Sequence, residues 1–181
     1  MDSILETARL LLRPPEEGDI AAFVPLIGNF NVAKNLSIVP HPYGEADGLD
    51  WVLKMRDRRA QATDYAFALI RKEDGAFIGA CGVHPSHDFE LGYWIGEPYW
   101  GKGYATEAAW AVVRFAFDRL GAAGLVARYM YDNPASGRVL TKLGFVYTHD
   151  APGRSLARGG DVLSHWLALS RERFRSINVT P

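Results

Sequence analysis

The run Leu91-Gly92-Tyr93-Trp94-Ile95-Gly96-Glu97-Pro98-Tyr99-Trp100-Gly101-Lys102-Gly103-Tyr104-Ala105-Thr106-Glu107 holds the residues with the clearest chemical capacity. It passes from a short apolar stretch through a glycine-bearing turn into a helix start. The first four N–H groups of a helix lack intrahelical partners and point outward with the positive end of the dipole, which suits a phosphate group. Gly101, Gly103 and Ala105 are small enough to let a phosphate approach the backbone. Further along, Asn133-Pro134-Ala135-Ser136 opens a second helix and offers an amide and a hydroxyl.

Three nucleotide-binding chemistries compete for the glycine turn. A dinucleotide fingerprint requires glycine at the sixth position of G-x-G-x-x-G. Here Gly101-Lys102-Gly103-Tyr104-Ala105-Thr106 ends in threonine, and no acidic strand end follows at ~20 residues. A nucleoside-triphosphate loop fits from Gly96 to Lys102, but Gly103 stands where a hydroxyl should hold magnesium, and Pro98 removes a backbone donor. The third is a pyrophosphate grip made of backbone N–H groups, which needs no metal. The plain structural alternative is that these glycines only turn the chain.

The elements that must position this loop follow from the apolar spacing. Strands are expected at Ala8 to Arg13, Tyr65 to Ile70, Ala76 to Val83, Phe89 to Ile95, Leu125 to Tyr131, Phe145 to Thr148 and Val162 to Leu169. Asp74-Gly75 between two apolar runs is a hairpin signal, so the middle of the chain reads as an antiparallel meander. Helices are expected at Glu16 to Ile27, Glu45 to Gln61, Tyr104 to Leu120 and Ala135 to Leu143, with Asn29 to Gly44 as a loop. The result is an α/β (α+β) fold: one mixed, mostly antiparallel sheet of about seven strands flanked by about four helices. Residues 1–181 suit a single domain, being 48% hydrophobic and 23% charged. Net charge is −1, from 20 Lys plus Arg against 21 Asp plus Glu, which argues against a nucleic-acid partner. The acidic start and the lack of a long uncharged apolar run predict no leader and no membrane span, hence a cytoplasmic protein.

On these residues the chain resembles the GNAT superfamily of acyl-CoA-dependent N-acetyltransferases, whose loop is [QR]-x-x-G-x-[GA]. Trp100-Gly101-Lys102-Gly103-Tyr104-Ala105 matches it, with Trp100 in the Gln/Arg place. Asn133-Pro134-Ala135-Ser136 followed by Lys142-Leu143-Gly144-Phe145 is similar to a second block of that superfamily. Thr7-Ala8-Arg9-Leu10-Leu11-Leu12-Arg13-Pro14 and Gly101 to Ala108 resemble its ribosomal-protein N-terminal acetyltransferase branch. The resemblance spans about Thr7 to Leu169. It implies acetyl-CoA as cosubstrate and no metal, with the pyrophosphate on the N–H groups of Gly101, Gly103, Ala105 and Thr106. It places the cosubstrate also against Tyr104, pantetheine along Trp94 and Ile95, and supplementary phosphate contacts at Lys102 and Arg138.

The same resemblance implies direct attack of a neutral amine on the thioester, with a hydroxyl protonating the departing thiolate. Asn133 and Ser136 resemble residues facing the thioester, although Asn133 also suits a helix cap. The tyrosine that many relatives use falls at Leu140, so Ser136 or water is left for the proton. Glu90, on the same side of its strand as Trp94, is the expected base through water. An α-amine of pKa about 7.7–8.0 is ~10% neutral at pH 7, whereas a lysine near 10.4 is neutral about once in 2,500 molecules. An N-terminal amine therefore asks less of a base. His41 and Tyr43 are expected to touch the acceptor, either a protein N-terminus or a small-molecule amine. Cys81 reads as a small core residue, His84 and His87 as no metal site, and Arg154, Arg158, Arg171, Arg173 and Arg175 as solvated. The missing tyrosine keeps a non-catalytic acyl-CoA binding or sensing module as the competing function, and a monomer or a homodimer is compatible with the sequence.

Overall fold

The computed structural model describes residues 4–177. Its strands are β1 (Leu5–Glu6), β2 (Leu10–Arg13), β3 (Tyr65–Arg71), β4 (Phe77–His84), β5 (Glu90–Ile95), β6 (Gly124–Met130), β7 (Val146–Ser155) and β8 (Gly160–Ser170). The helices are α1 (Ile20–Ile27), α2 (Phe30–Ala33), α3 (Glu45–Ala60), α4 (Tyr104–Asp118), α5 (Pro134–Lys142) and α6 (Arg171–Ser176). All eight strands form one sheet in the order β1-β2-β3-β4-β5-β6-β8-β7. Every neighbouring pair is antiparallel except β5 and β6.

The sheet buries both faces. Leu10, Leu12, Phe67, Ile78 and Val83 pack against Ala108, Ala109, Val112 and Ala116 of α4, where small side chains bring the helix close to the strands. Phe67 meets Phe115 edge-on at 5.4 Å between ring centres. On the opposite face Phe23, Ile27, Val52, Ala68 and Phe77 join α1 and α3 to the sheet. Burying each such Phe, Leu or Val contributes about 1.5–3 kcal/mol. These two layers pack the middle of the sheet on both faces, with β5 and β6 at its centre.

Three sequence expectations need correction. The segment Asn29 to Gly44 is not all loop. Asn29 Oδ1 accepts from the Asn31 N–H and caps the short helix α2. The strand expected at Phe145 to Thr148 instead runs from Val146 to Ser155 and pairs with β8 from Gly160 to Ala168. It is exposed from Val146 to Asp150 and buried only at Gly153 and Ser155, and Pro152 is tolerated because β7 is an edge strand, so no apolar alternation marks it. Finally, Arg158, Arg171 and Arg173 are not merely solvated. Arg171 donates to the Phe117 and Ala122 carbonyls, Arg173 to Gly144 O at 2.7 Å, and Arg158 to Lys34 O at 2.7 Å. The short strand β1 and helix α6 carry too few residues to show periodicity.

Candidate active site

Strands β5 and β6 pair only at Glu90↔Val126 and Leu91↔Ala127. Beyond Leu91, β5 runs on to Ile95 and β6 to Met130 with no ladder between them, so the sheet opens into a V. The divergence has a local cause. The Ile95 carbonyl accepts from the Trp100 indole Nε1 at 2.6 Å, and the Gly96 N–H donates to Ile78 O, so the end of β5 is tied to its own turn and to β4. The V opens into a cavity of about 810 Å³ lined by β5, the glycine loop, the start of α4, the start of α5 and residues of the α2 region.

At one end of this cavity the glycine loop turns into α4. Gly101 and Gly103 have φ of +73° and +81°, a left-handed conformation that glycine adopts without the strain a side chain would add. The first helical hydrogen bond runs from the Glu107 N–H to Gly103 O, and no side chain caps the helix. The N–H groups of Tyr104, Ala105 and Thr106 therefore precede the ladder, at the positive end of α4.

A buried carboxylate fixes that end in place. Glu107, only 7% exposed, accepts from the Thr7 hydroxyl at 2.6 Å, the Arg9 N–H at 2.8 Å and Arg9 Nε at 2.7 Å. The Arg9 guanidinium also donates to Lys102 O at 2.9 Å and lies over the Tyr104 ring. Burial alone would raise the Glu107 pKa, but the Thr7 and Arg9 donors prevail and hold it below the usual carboxylate range. The opening Thr7-Ala8-Arg9 and the distant Glu107 are thus two halves of one clamp. Lys102 is not among the residues that line the cavity, its Nζ lying 5.9 Å from the ring centre of Tyr99, which does, whereas Arg138 lies in the lining.

Across the V, Asn133 Oδ1 accepts from the Ser136 N–H and caps α5. The Ser136 hydroxyl sits 2.8 Å from the hydroxyl of Tyr93, which also donates to Ser136 O at 3.1 Å. Burial pushes the Tyr93 phenol up, so it stays a neutral proton donor at physiological pH. Leu140 is buried in the core and brings no hydroxyl. Sequence reasoning missed Tyr93, although strand alternation puts it on the side opposite Glu90 and Trp94. That side is the one α5 covers.

On the other face the side chains come in pairs. Glu90 Oε1 accepts from Arg128 Nε at 3.0 Å, and the Arg128 guanidinium lies over the Trp166 ring. Arg158 holds Asp132 at 2.8 and 3.0 Å while also donating to Lys34 O, which joins the α2 region to the loop before α5. The Arg158 hydrogen bond keeps the Asp132 carboxyl below the usual range. Glu97 accepts from the side chains of Asn29 and Asn31. His41 is exposed against Phe30, and Tyr43 is half-buried, its phenol pushed up to about 12 by burial and then by Asp47 and Asp50. Neither lines the cavity. The segment reaches it through Asn31 and Val32 of α2 and through Lys34 to Ser37 just after that helix. Cys81 is buried and its thiol pushed up by burial. Among the described residues no cluster of three or more His, Cys, Asp or Glu could hold a metal, and no helix is long and apolar enough to cross a membrane.

These features agree with what comparison with known proteins returns. The acetyltransferase (GNAT) domain model matches residues 9–146. The N-acetyltransferase YoaA of Bacillus subtilis is 30% identical over 161 residues, covering 80% of this chain and 84% of its own. The ribosomal-protein-S5-alanine acetyltransferase of Vibrio fischeri superposes with a TM-score of 0.81 at 18% identity, over 95% of this chain and 99% of that one. Mycobacterium smegmatis RimJ, solved with a CoA-disulfide, superposes with a TM-score of 0.80 at 17% identity, over 94% and 87% of the two chains. The chain belongs to the GNAT family and is an acetyltransferase.

Proposed function

We propose that this enzyme moves an acetyl group from acetyl-CoA to a primary amine, with the α-amine of a protein N-terminus as the favoured acceptor and a small-molecule amine as the other. The observation that carries the reading is the V between β5 and β6, with the uncapped start of α4 at one end and the Tyr93–Ser136 hydroxyls beside its apex. The fit of the cosubstrate is supported by the loop itself. A Cβ added at Gly101 would meet nothing within 4 Å, so the backbone there is open to a ligand, and Arg138 stands in the lining as a cation. Acetyl-CoA supplies an acetyl carbonyl activated as a thioester.

The chain's own residues divide the remaining work. The N–H groups of Gly101, Gly103, Tyr104, Ala105 and Thr106 hold the pyrophosphate, and the edge of β5 at Trp94 and Ile95 that β6 leaves unpaired lies along the pantetheine, with the Ile95 carbonyl already accepting from Trp100. Asn133 orients Ser136, and Ser136 with Tyr93 offers a proton to the thiolate. Glu90 and Asp132 bring negative charge to the approach of an ammonium group, each restrained by an arginine. The protein-acceptor preference is supported by the Vibrio fischeri relative, whose name states a ribosomal-protein alanine as its target, and by the resemblance of the opening segment. The test is thiol release from acetyl-CoA against a panel of N-terminal peptides, lysine peptides and polyamines. Amine-dependent release with an N-terminal peptide as the best acceptor is expected, and acetyl-CoA consumption that no amine accelerates contradicts the reading.

A further inference from the structure

In the β4–β5 ladder Cys81 faces Tyr93 and Val83 faces Leu91, while Gly82 faces Gly92 and His84 faces Glu90. Side chains alternate along a strand, so the first four residues point towards α4 and the second four to the opposite face. On that opposite face two glycines meet and leave a gap. The His84 ring lies over it, since a Cβ placed on Gly92 would be 3.4 Å from His84 Nε2. Gly92 is also the first β5 residue past the Leu91↔Ala127 pair, at the apex of the V, and it lines the cavity.

The other nitrogen of His84 is held from behind. Nδ1 is 2.8 Å from Asp64 Oδ2, and the Asp64 side chain is only 3% exposed. Arg58 stands 3.5 Å from the same oxygen, and Asp64 Oδ1 is buried without a hydrogen-bond partner. A carboxylate accepting from Nδ1–H fixes that tautomer and leaves the Nε2 lone pair towards Gly92. The other groups facing the ring are His87, with ring centres 6.5 Å apart, and Glu90 across the ladder. The Glu90 carboxylate is already engaged by Arg128.

We infer that His84, oriented by buried Asp64, takes the proton from the acceptor amine on the face of the sheet opposite the Tyr93–Ser136 hydroxyls. The inference rests on the acetyl-transfer reading above. The amine nitrogen forms the new C–N bond to the acetyl carbon and gives its proton to Nε2. The C–S bond breaks, the thiolate takes a proton from the Tyr93–Ser136 hydroxyls, and solvent returns a proton to them. His84, about one-third exposed at its side chain, returns its proton to solvent.

The test compares His84→Gln, Glu90→Gln and wild type in kcat, KM and pH profile with one N-terminal peptide. His84→Gln is expected to lower kcat about 10²-fold at pH 7, to leave the KM for acetyl-CoA within about twofold, and to lose the limb of the profile that belongs to an imidazole. Glu90→Gln is expected to keep that limb. In His84→Ala, which leaves a hole beside Gly82 and Gly92, added imidazole should restore part of the rate, a response that a purely structural histidine would not give. A wild-type profile and kcat in His84→Gln, or no rescue of a folded His84→Ala, overturns the inference and leaves acetyl transfer standing. A wild type that releases thiol with no amine overturns both.

Discussion

On the α4 side of the cleft the groups presented to a ligand are backbone N–H groups, and one buried carboxylate, Glu107, holds their geometry through Thr7 and Arg9. Across the sheet, towards β8, the groups presented are side chains held in separate pairs, Glu90 with Arg128 and Asp132 with Arg158. A backbone cradle binds a group common to every reaction cycle, and it tolerates few residue types because only small residues and a left-handed turn can form it. A set of paired side chains can be exchanged pair by pair without altering the fold. The first region suits a constant cosubstrate and the second a variable acceptor.

The same contrast decides what the sequence reveals. The glycine turn, the start of α4 and the cap at Asn133 were legible because backbone geometry there demands glycine, a helix start and an asparagine at fixed spacing. The Glu107 clamp was half legible: its two segments stood out as resemblances, but the contact joining Arg9 to Glu107 spans 98 residues of the chain and leaves no local trace. Tyr93 was hidden within an apolar strand, where a tyrosine reads as packing. His41 and Tyr43 were expected at the acceptor from the resemblance alone; they do not line the cavity, whereas Asn31 of α2 and Lys34 just after it do, and α2 is too short to show in the sequence. Pairs such as Arg158 with Asp132 arise only when the β7–β8 turn folds back, and an exposed polar edge strand gives no period to read.

Each region makes a claim that substitution can test. The largest effect is expected for Tyr93→Phe, which removes one hydroxyl of the Tyr93–Ser136 pair. Stopped-flow or steady-state assays should show kcat lowered about 10²-fold with acetyl-CoA affinity unchanged. If affinity falls instead, the hydroxyl belongs to the cradle and the division between the regions is wrong. Gly103→Val puts a branched side chain at φ +81°, with its Cβ 3.4 Å from Arg9 Nη2. Backbone strain of about 2 kcal/mol should weaken acetyl-CoA binding about 30-fold in calorimetry, with the fold retained by circular dichroism.

Glu107→Ala should cost about 2 kcal/mol of folding stability, since it leaves the Thr7 and Arg9 donors without their acceptor. Thermal unfolding should fall by roughly 4–8 °C in a chain of this size. The pH dependence follows from the lowered Glu107 pKa. Its contribution is fully present above the ordinary glutamate value of about 4.3 and is lost as pH falls through the lower folded value, so Glu107→Ala should narrow its stability deficit below about pH 4. A deficit that stays constant down to pH 3 would mean the clamp contributes through packing rather than charge. The smallest effect is expected for Arg158→Ala. Releasing Asp132 and Lys34 O should raise the acceptor KM by about threefold to fivefold, near 1 kcal/mol, while acetyl-CoA affinity stays at the wild-type value. A loss of acetyl-CoA affinity here would show the two regions to be coupled.

The central claim is that the uncapped start of α4 and the V beside it form an acetyl-CoA seat that needs no metal. Calorimetric titration of the purified protein with acetyl-CoA, run beside ATP with magnesium and beside NAD, tests it most directly. Saturable binding of acetyl-CoA, unchanged by chelator and with no heat from either nucleotide, is the predicted result. Binding of ATP or NAD with no response to acetyl-CoA would contradict it.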